Sequence, residues 1–232
     1  MKIFKFIKDL IAPKKCYSCN KEGHFLCEKC LSKMSNFEPV CYVCKGRSEN
    51  FEVHTKCLSS IHYDKIIILS HYKNKHISKL VKDFKFYMKK DIGEDFGNYL
   101  TDLFLENEVY KNTDNYILIF PPMGFFKKIK RGYNHSEIIA KYISKNIGIR
   151  LEKKLIIKTK TTRQQSLLSR KERLLNLQDS FKIANNKIDN FDKKTFIIID
   201  DVISTGSTIN EISKKLKEKG AKKVIGLIVA SD

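Results

Sequence analysis

Apolar residues fall along this chain in short unbroken runs, separated by stretches where they recur at helical spacing. The densest run is Phe196, Ile197, Ile198 and Ile199; uninterrupted apolar positions of this length suit a strand buried on both faces. Ile66 to Leu69 and Tyr116 to Phe120 read the same way, the latter ended by Pro121 and Pro122, and a further strand is expected over 154–158. Helices are expected from Ile209 to Lys219 and from Ser136 to Asn146, with Ser136 as N-cap or with the start a residue or two earlier. Tyr72, Leu80, Val81 and Phe84 recur at roughly helical spacing, the mark of core packing. Residues 159–181 are polar and basic, with Leu167, Leu168, Leu174 and Leu175 at helical positions. At the start, Ile3, Phe4, Ile7, Leu10 and Ile11 line one side of an amphipathic turn or two. Lys5, Lys8 and Asp9 interrupt this segment too often for a signal peptide. It reads as a short helix docked on its own protein, with contact to a membrane surface as the alternative.

The polar punctuation at the front is cysteine. All seven Cys lie between residues 16 and 57. Cys16 and Cys19, then Cys27 and Cys30, make two C-x-x-C pairs, each placing two thiolates on one tight turn toward one tetrahedral ion. Cys41 and Cys44 form a third pair, and His54 with Cys57 completes a second donor set of three thiolates and one imidazole. His54 reads equally as a surface residue, and the two donor sets could interleave. Disulfides would need an oxidising compartment, towards which nothing in the sequence directs the chain; paired knuckles in a Lys-rich segment hold zinc more often than an iron–sulfur cluster. The expected role is structural: zinc folds about 45 residues too few to build a core of their own. The chain thus divides into an amphipathic segment over 1–13, a zinc-binding module over 14–60 and a larger domain over 61–232.

Composition changes this picture little. With 232 residues and 42% apolar content the chain suits one medium domain and an appendage, and it has no apolar run of transmembrane length. The formal charge of +19 invites a nucleic-acid or membrane-surface reading. Yet 39 of the 45 basic residues are Lys spread throughout, which also reads as a compositional bias of solvated faces. The six Arg are more informative, because Arg131, Arg150, Arg163, Arg170 and Arg173 fall within one stretch. Arg offers phosphate a rigid fork of donors that Lys cannot copy.

The chemistry concentrates at 200–208. Asp200 and Asp201 follow the densest apolar run, then Val202, then the small-residue loop Ser204, Thr205, Gly206, Ser207 and Thr208 before the helix. Ligands of open α/β sheets bind outside the carboxyl ends of the strands. Backbone amides of a loop entering a helix, with hydroxyls, suit a phosphate monoester. Adjacent carboxylates accept hydrogen bonds from a vicinal diol. A ribose 5-phosphate has both features; an ordinary strand-to-helix turn is the plainer alternative.

The run from Phe196 to Thr208 resembles the 5-phosphoribosyl-1-pyrophosphate (PRPP) motif of type I phosphoribosyltransferases. Joined to a knuckle module at the front, it resembles the ComF competence-protein family, nearly end to end from Cys16 to Ala230. His54 stands where that family usually has Cys. Residues 131–135, Arg-Gly-Tyr-Asn-His, resemble its Arg-Gly-Phe-Asn-Gln block, with His135 for Gln; Thr162, Gln165, Leu168, Arg173, Asn176 and Phe181 match its flap segment. The resemblance implies an α/β fold, a type I phosphoribosyltransferase-like parallel sheet flanked by helices, with a small N-terminal zinc-binding module.

It further implies PRPP bound with Mg²⁺. Asp200 and Asp201 would take the ribose hydroxyls and act catalytically by stabilising charge on the ring, while Val202 and the loop from Ser204 to Thr208 surround the 5-phosphate. Lys130, Arg131, Arg163 and Arg173 would face the pyrophosphate, on a loop and on a flap that excludes water. Lys85 matches a family Lys but is not assigned a role, because Met88 occupies a position that is usually small. Three functions remain open: a phosphoribosyltransferase acting in DNA uptake, a catalytically silent PRPP sensor or single-stranded-DNA binder, and a salvage enzyme. The resemblance implies a cytoplasmic protein, peripheral to the inner face of the membrane at most, with single-stranded DNA and uptake or helicase proteins of the competence machinery as partners. Tyr17, Phe25, Phe37, Tyr42 and Phe51 in the module could stack on bases or could form its own small core.

Overall fold

A computed structural model describes residues 13–34, 37–87, 89–108, 113–159, 179–184 and 188–232. The amphipathic segment at the N-terminus and the flap positions Arg163 and Arg173 lie outside the described residues.

The long apolar runs become the middle of a parallel sheet. β1 (Lys65–His71), β2 (Tyr116–Ile119), β3 (Arg150–Leu151), β6 (Thr195–Ile203) and β7 (Lys223–Ser231) are ordered β1-β7-β6-β2-β3 and all pair in parallel. The register sets Ile197 between Leu118 and Ile225, and Ile67 against Leu227. Alternate residues feed opposite cores. Ile67, Leu69, Leu118, Ile197 and Ile199 face a layer made by α1 (Lys75–Phe86), α2 (Ile92–Asn107) and α4 (His135–Ile147). Ile66, Ile68, Ile117, Phe196 and Ile198 face α5 (Ser207–Glu218). Both faces are covered, which is why the strands read as unbroken apolar runs instead of alternating ones. β4 (Ile156–Lys158) and β5 (Phe181–Ile183) form a separate antiparallel pair.

The helix boundaries follow the expected ones only in part. α4 begins one residue before Ser136, and its N-cap Asn134 makes no side-chain cap bond; the Asn134 amide donates instead to the Pro121 carbonyl, 3.0 Å away. The segment ending at Arg131 is not a loop but the helix α3 (Phe125–Arg131), stopped by Gly132 at φ +74°. α5 begins two residues earlier than expected, directly after Gly206 at φ +76°.

The cysteine segment is built from two knuckles of one geometry. The N–H of Asn20 donates to the Cys16 carbonyl at 2.9 Å, and that of Lys45 to the Cys41 carbonyl at 2.8 Å. Asn20 and Lys45 both adopt φ +61°. The segment is not a free appendage. Cys16, Leu26, Cys27, Cys30 and Phe51 join the core on the α2 side, whereas Cys41, Tyr42, Val53, Cys57 and Tyr63 join the core on the α5 side. Tyr42 and Phe51 are buried, and Tyr17, Phe25 and Phe37 pack partly buried against the core. These aromatics thus contribute to the core, Tyr42 and Phe51 fully and the other three in part.

Candidate functional site

The carboxyl ends of β1, β2 and β6 open into a cavity of about 410 Å³, whose lining includes Lys85, Arg131, His135, Asp200, Asp201 and Thr208. β6 does not stop at the acids but runs on to Ile203, so Asp200 and Asp201 point to opposite sides of a strand. Different partners hold them. The Ser136 hydroxyl at the start of α4 donates to Asp200 Oδ1 at 2.9 Å, and so does the Asp201 N–H at 2.9 Å. Lys85 Nζ, near the end of α1, lies 2.8 Å from Asp201 Oδ1. Burial and the neighbouring Asp201 charge push the Asp200 carboxyl up to about 7, against the pull of Lys85 and the Ser136 hydroxyl. Both acids fully ionised would carry more negative charge than the protein alone compensates. Hard carboxylate oxygens in that state suit a Mg²⁺-bearing ligand or a set of hydroxyl donors.

Ser204, Thr205 and Gly206 carry the chain from β6 into α5. The Thr205 and Ser207 hydroxyls are in contact, and the Ser207 N–H points at Thr205 Oγ1, 3.4 Å away. Gly206 and Ser207 are buried, while Ser204 is exposed at the mouth. Gly206 is required twice over. Its φ lies in the left-handed region, and a Cβ there would stand 3.3 Å from Tyr42 Cε1 and 3.6 Å from the Tyr63 hydroxyl. Val202 also lines the cavity, and Arg131 lies with its guanidinium over the Phe86 ring, 5.3 Å from the centroid.

Two residues escaped the reading of the sequence. Lys85 matches a family Lys, a usable signal, but its partner Asp201 is distant in sequence. His135 looked like a mere replacement of Gln, yet its ring is buried between Phe84 and Tyr133 at the cavity wall. Neither of its ring nitrogens has a hydrogen-bond partner among the described residues.

At the front, the sulfurs of Cys16, Cys19, Cys27 and Cys30 lie within 4.8 Å of one another, as do the donor atoms of Cys41, Cys44, His54 and Cys57. The sets are consecutive, not interleaved. Burial pushes the Cys16 thiol up, but N–H groups of Cys27, Cys19 and Ser18 outweigh it and hold its pKa at about 6. The Ser18 side chain favours the Cys30 thiolate; burial and the other three sulfurs outweigh it and push Cys30 up to about 11. Four thiols this close cannot all ionise without a cation among them, which is the signature of a metal-binding donor set. In the second set His54 Nδ1 lies 3.2 Å from Cys44 Sγ, and Nε2 lies 3.0 Å from the Arg47 carbonyl. A proton on Nε2 donated to that carbonyl leaves Nδ1 as the ligating lone pair. Both groups can therefore hold a metal such as zinc.

Comparison with known proteins fits this geometry. A phosphoribosyl transferase domain model matches residues 125–232. Competence protein F of Haemophilus influenzae is 30% identical over 220 residues, covering 90% of this chain and 93% of the relative. The DNA utilization protein YhgH of Escherichia coli K12 is 23% identical over 222 residues, covering 91% and 94%. Among solved structures, the allosteric regulatory enzyme of purine biosynthesis overlays with a TM-score of 0.39 at 17% identity, over 64% of this chain and 30% of that one, too loose a likeness to carry an argument. Among the described residues no helix is long and apolar enough to cross a membrane. The relatives match both halves, the metal-binding segment and the sheet whose acids face the cavity: this chain belongs to the ComF family of phosphoribosyltransferase-like competence proteins.

Proposed function

We propose that the chain binds PRPP at the carboxyl edge of the sheet and serves the handling of DNA taken up by the cell. The observation that carries the reading is the acid pair at the cavity, one member held by Ser136 and the other by Lys85, directly before a hydroxyl-rich turn into a helix. Asp200 and Asp201 accept hydrogen bonds from the ribose 2- and 3-hydroxyls. The amides and hydroxyls from Ser204 to Thr208 hold the 5-phosphate, and Arg131 faces the pyrophosphate. Bound together with PRPP, Mg²⁺ supplies neutralisation of the leaving pyrophosphate. As the anomeric bond lengthens, the ring becomes cationic, and ionised Asp200 and Asp201 would supply the negative charge that stabilises it. No nucleophilic side chain is needed for such a step.

The biological setting follows from the relatives, one named for competence and the other for DNA utilization. A cytoplasmic site of action, with single-stranded DNA and uptake or helicase proteins as partners, is part of the proposal, as are zinc in both cysteine groups and Mg²⁺ with PRPP. The charge of +19 supports DNA contact only weakly, so any affinity for DNA has to exceed that of a similarly charged protein at matched salt.

The test is calorimetry with PRPP and Mg²⁺ on zinc-loaded protein. Binding is expected, and Asp201→Asn should weaken it by about tenfold or more, the scale of hydrogen bonds to a charged acceptor. Wild-type protein that gives no heat with PRPP at any magnesium concentration removes the proposal.

A further inference from the structure

The second cysteine group touches the phosphate loop through one side chain. Tyr42 sits inside the knuckle, between Cys41 and Cys44, and is 4% exposed. Its hydroxyl donates to the Ser204 carbonyl at 2.8 Å, and its ring edge supports Gly206, 3.3 Å from the Cβ position that glycine leaves vacant. Lys45, in the same knuckle, holds its ammonium 3.4 Å from the centroid of the Tyr42 ring. Tyr63, 3% exposed, backs the same glycine. Cys41, Tyr42, Cys57 and Tyr63 are continuous with Ile203 and Ile209, the apolar residues on either side of the loop.

A loop that binds phosphate through its amides works only if those amides are already aimed, since each must otherwise be ordered on binding. The turn Ser204–Gly206 is braced from within by the contact of the Thr205 and Ser207 hydroxyls, and from the knuckle by Tyr42, with Tyr63 and Ile203 behind the same glycine. The knuckle backbone is in turn fixed by its ligands: the His54 N–H points at Cys41 Sγ, 3.5 Å away, and Cys44 Sγ lies 3.2 Å from His54 Nδ1. Building on the PRPP reading, we infer that Tyr42 is a positioning residue for the phosphate loop, and that metal in the Cys41 group is transmitted through it to sugar-phosphate affinity. The module then does more than fold itself: it presets one half of the binding site and leaves the pyrophosphate half, at Arg131, alone.

Ribose 5-phosphate and pyrophosphate, each with Mg²⁺, probe the two halves separately. Tyr42→Phe removes only the hydroxyl. It is expected to keep zinc content and pyrophosphate affinity, and to weaken ribose 5-phosphate by about fivefold, the scale of one neutral hydrogen bond. Cys44→Ser should lower zinc by one ion per chain and weaken ribose 5-phosphate at least as much. Unchanged ribose 5-phosphate affinity in Tyr42→Phe, or in Cys44→Ser that has lost the ion, overturns the inference while the PRPP reading stands. A parallel loss of both ligands in Tyr42→Phe also overturns it, because a general loosening would then be the cause. Wild-type protein that ignores both ligands overturns it together with the PRPP reading.

Discussion

His135 occupies a position that a protein has no stability reason to fill with imidazole. It is 1% exposed, packed edge-on to Phe84 with ring centroids 5.0 Å apart, and neither ring nitrogen has a hydrogen-bond partner among the described residues. Burial drives its pKa down to about 4; Asp201 opposes the shift, and Arg131 and Lys85 reinforce it. The folded state thus holds a neutral ring, with one N–H donor and one lone pair at the wall of the ligand cavity. Unfolded chain takes up the proton near pH 6.5. The stability due to the neutral ring is therefore complete above that pH and is lost as pH falls from about 6.5 towards 4. At pH 4.5 the loss amounts to roughly 2.5 kcal/mol. His135→Gln removes the titration but keeps a donor and an acceptor. Urea unfolding at pH 7 and pH 4.5 should show wild type losing about 2.5 kcal/mol more than the variant. Thiols and carboxylates titrate in both proteins and cancel in the comparison. Equal losses would mean that the ring is not buried as a neutral base.

Among elements, the approach of α2 to α4 governs the site at one remove. Two glycines on α2 permit it. A Cβ on Gly97 would lie 2.4 Å from Tyr142 Cβ, and one on Gly93 would lie 2.6 Å from Ile138 Cγ2. Tyr142 Cβ is rooted in its backbone and cannot swing aside, so the helices must part. Gly97→Ala gains about 1 kcal/mol of helix propensity, but the overpacking it forces costs about 1–3 kcal/mol and more where no side chain can yield. A net loss of about 1–2 kcal/mol is expected from denaturant unfolding. Because α4 carries Ser136 against Asp200, PRPP affinity should fall along with stability. A stabilised variant would show that the two helices tolerate separation.

Elements also differ in how well the chain announces them. β6 and its loop are legible because their chemistry is local: an apolar run, two acids, then small residues within one strand-turn-helix. The metal ligands are legible for the same reason, since a knuckle is a four-residue object. α3 is not, because seven residues are too few for Phe125, Phe126 and Ile129 to establish a period. Lys85 is legible only through its match to the family Lys, because its meaning lies in an ion pair between the end of α1 and Asp201 on β6, far along the chain. Nor could periodicity show that the module's aromatics are divided between the two faces of the sheet.

At the scale of the molecule, the metal-binding segment and the sheet form one packed body. Lys14 Nζ lies 2.9 Å from Glu94 Oε2, Tyr17 donates to Asp83 at 2.5 Å, and the Tyr99 hydroxyl donates to the Leu26 carbonyl. Asp95 is buried, which raises its pKa; the Phe25 N–H, 2.7 Å from Asp95 Oδ2, opposes that shift, as do Lys14 and His24. The segment thus supplies partners to a buried acid on α2, and on the far side of the sheet supports the loop through Tyr42. Metal binding to such a segment is worth on the order of 10 kcal/mol, comparable to the whole stability of a domain. Its removal should therefore be felt on both faces. Hydrogen exchange before and after a strong chelator is the measurement. Protection is expected to fall within the segment, in the first half of α2 around Asp95 and Tyr99, and at Ser204 to Ser207, while the centre of β6 and β7 stays protected. If chelation loosens only the cysteine segment, the two parts are independently stable, and the contacts through Asp95, Tyr99 and Tyr42 contribute nothing to the order of the sheet's binding edge.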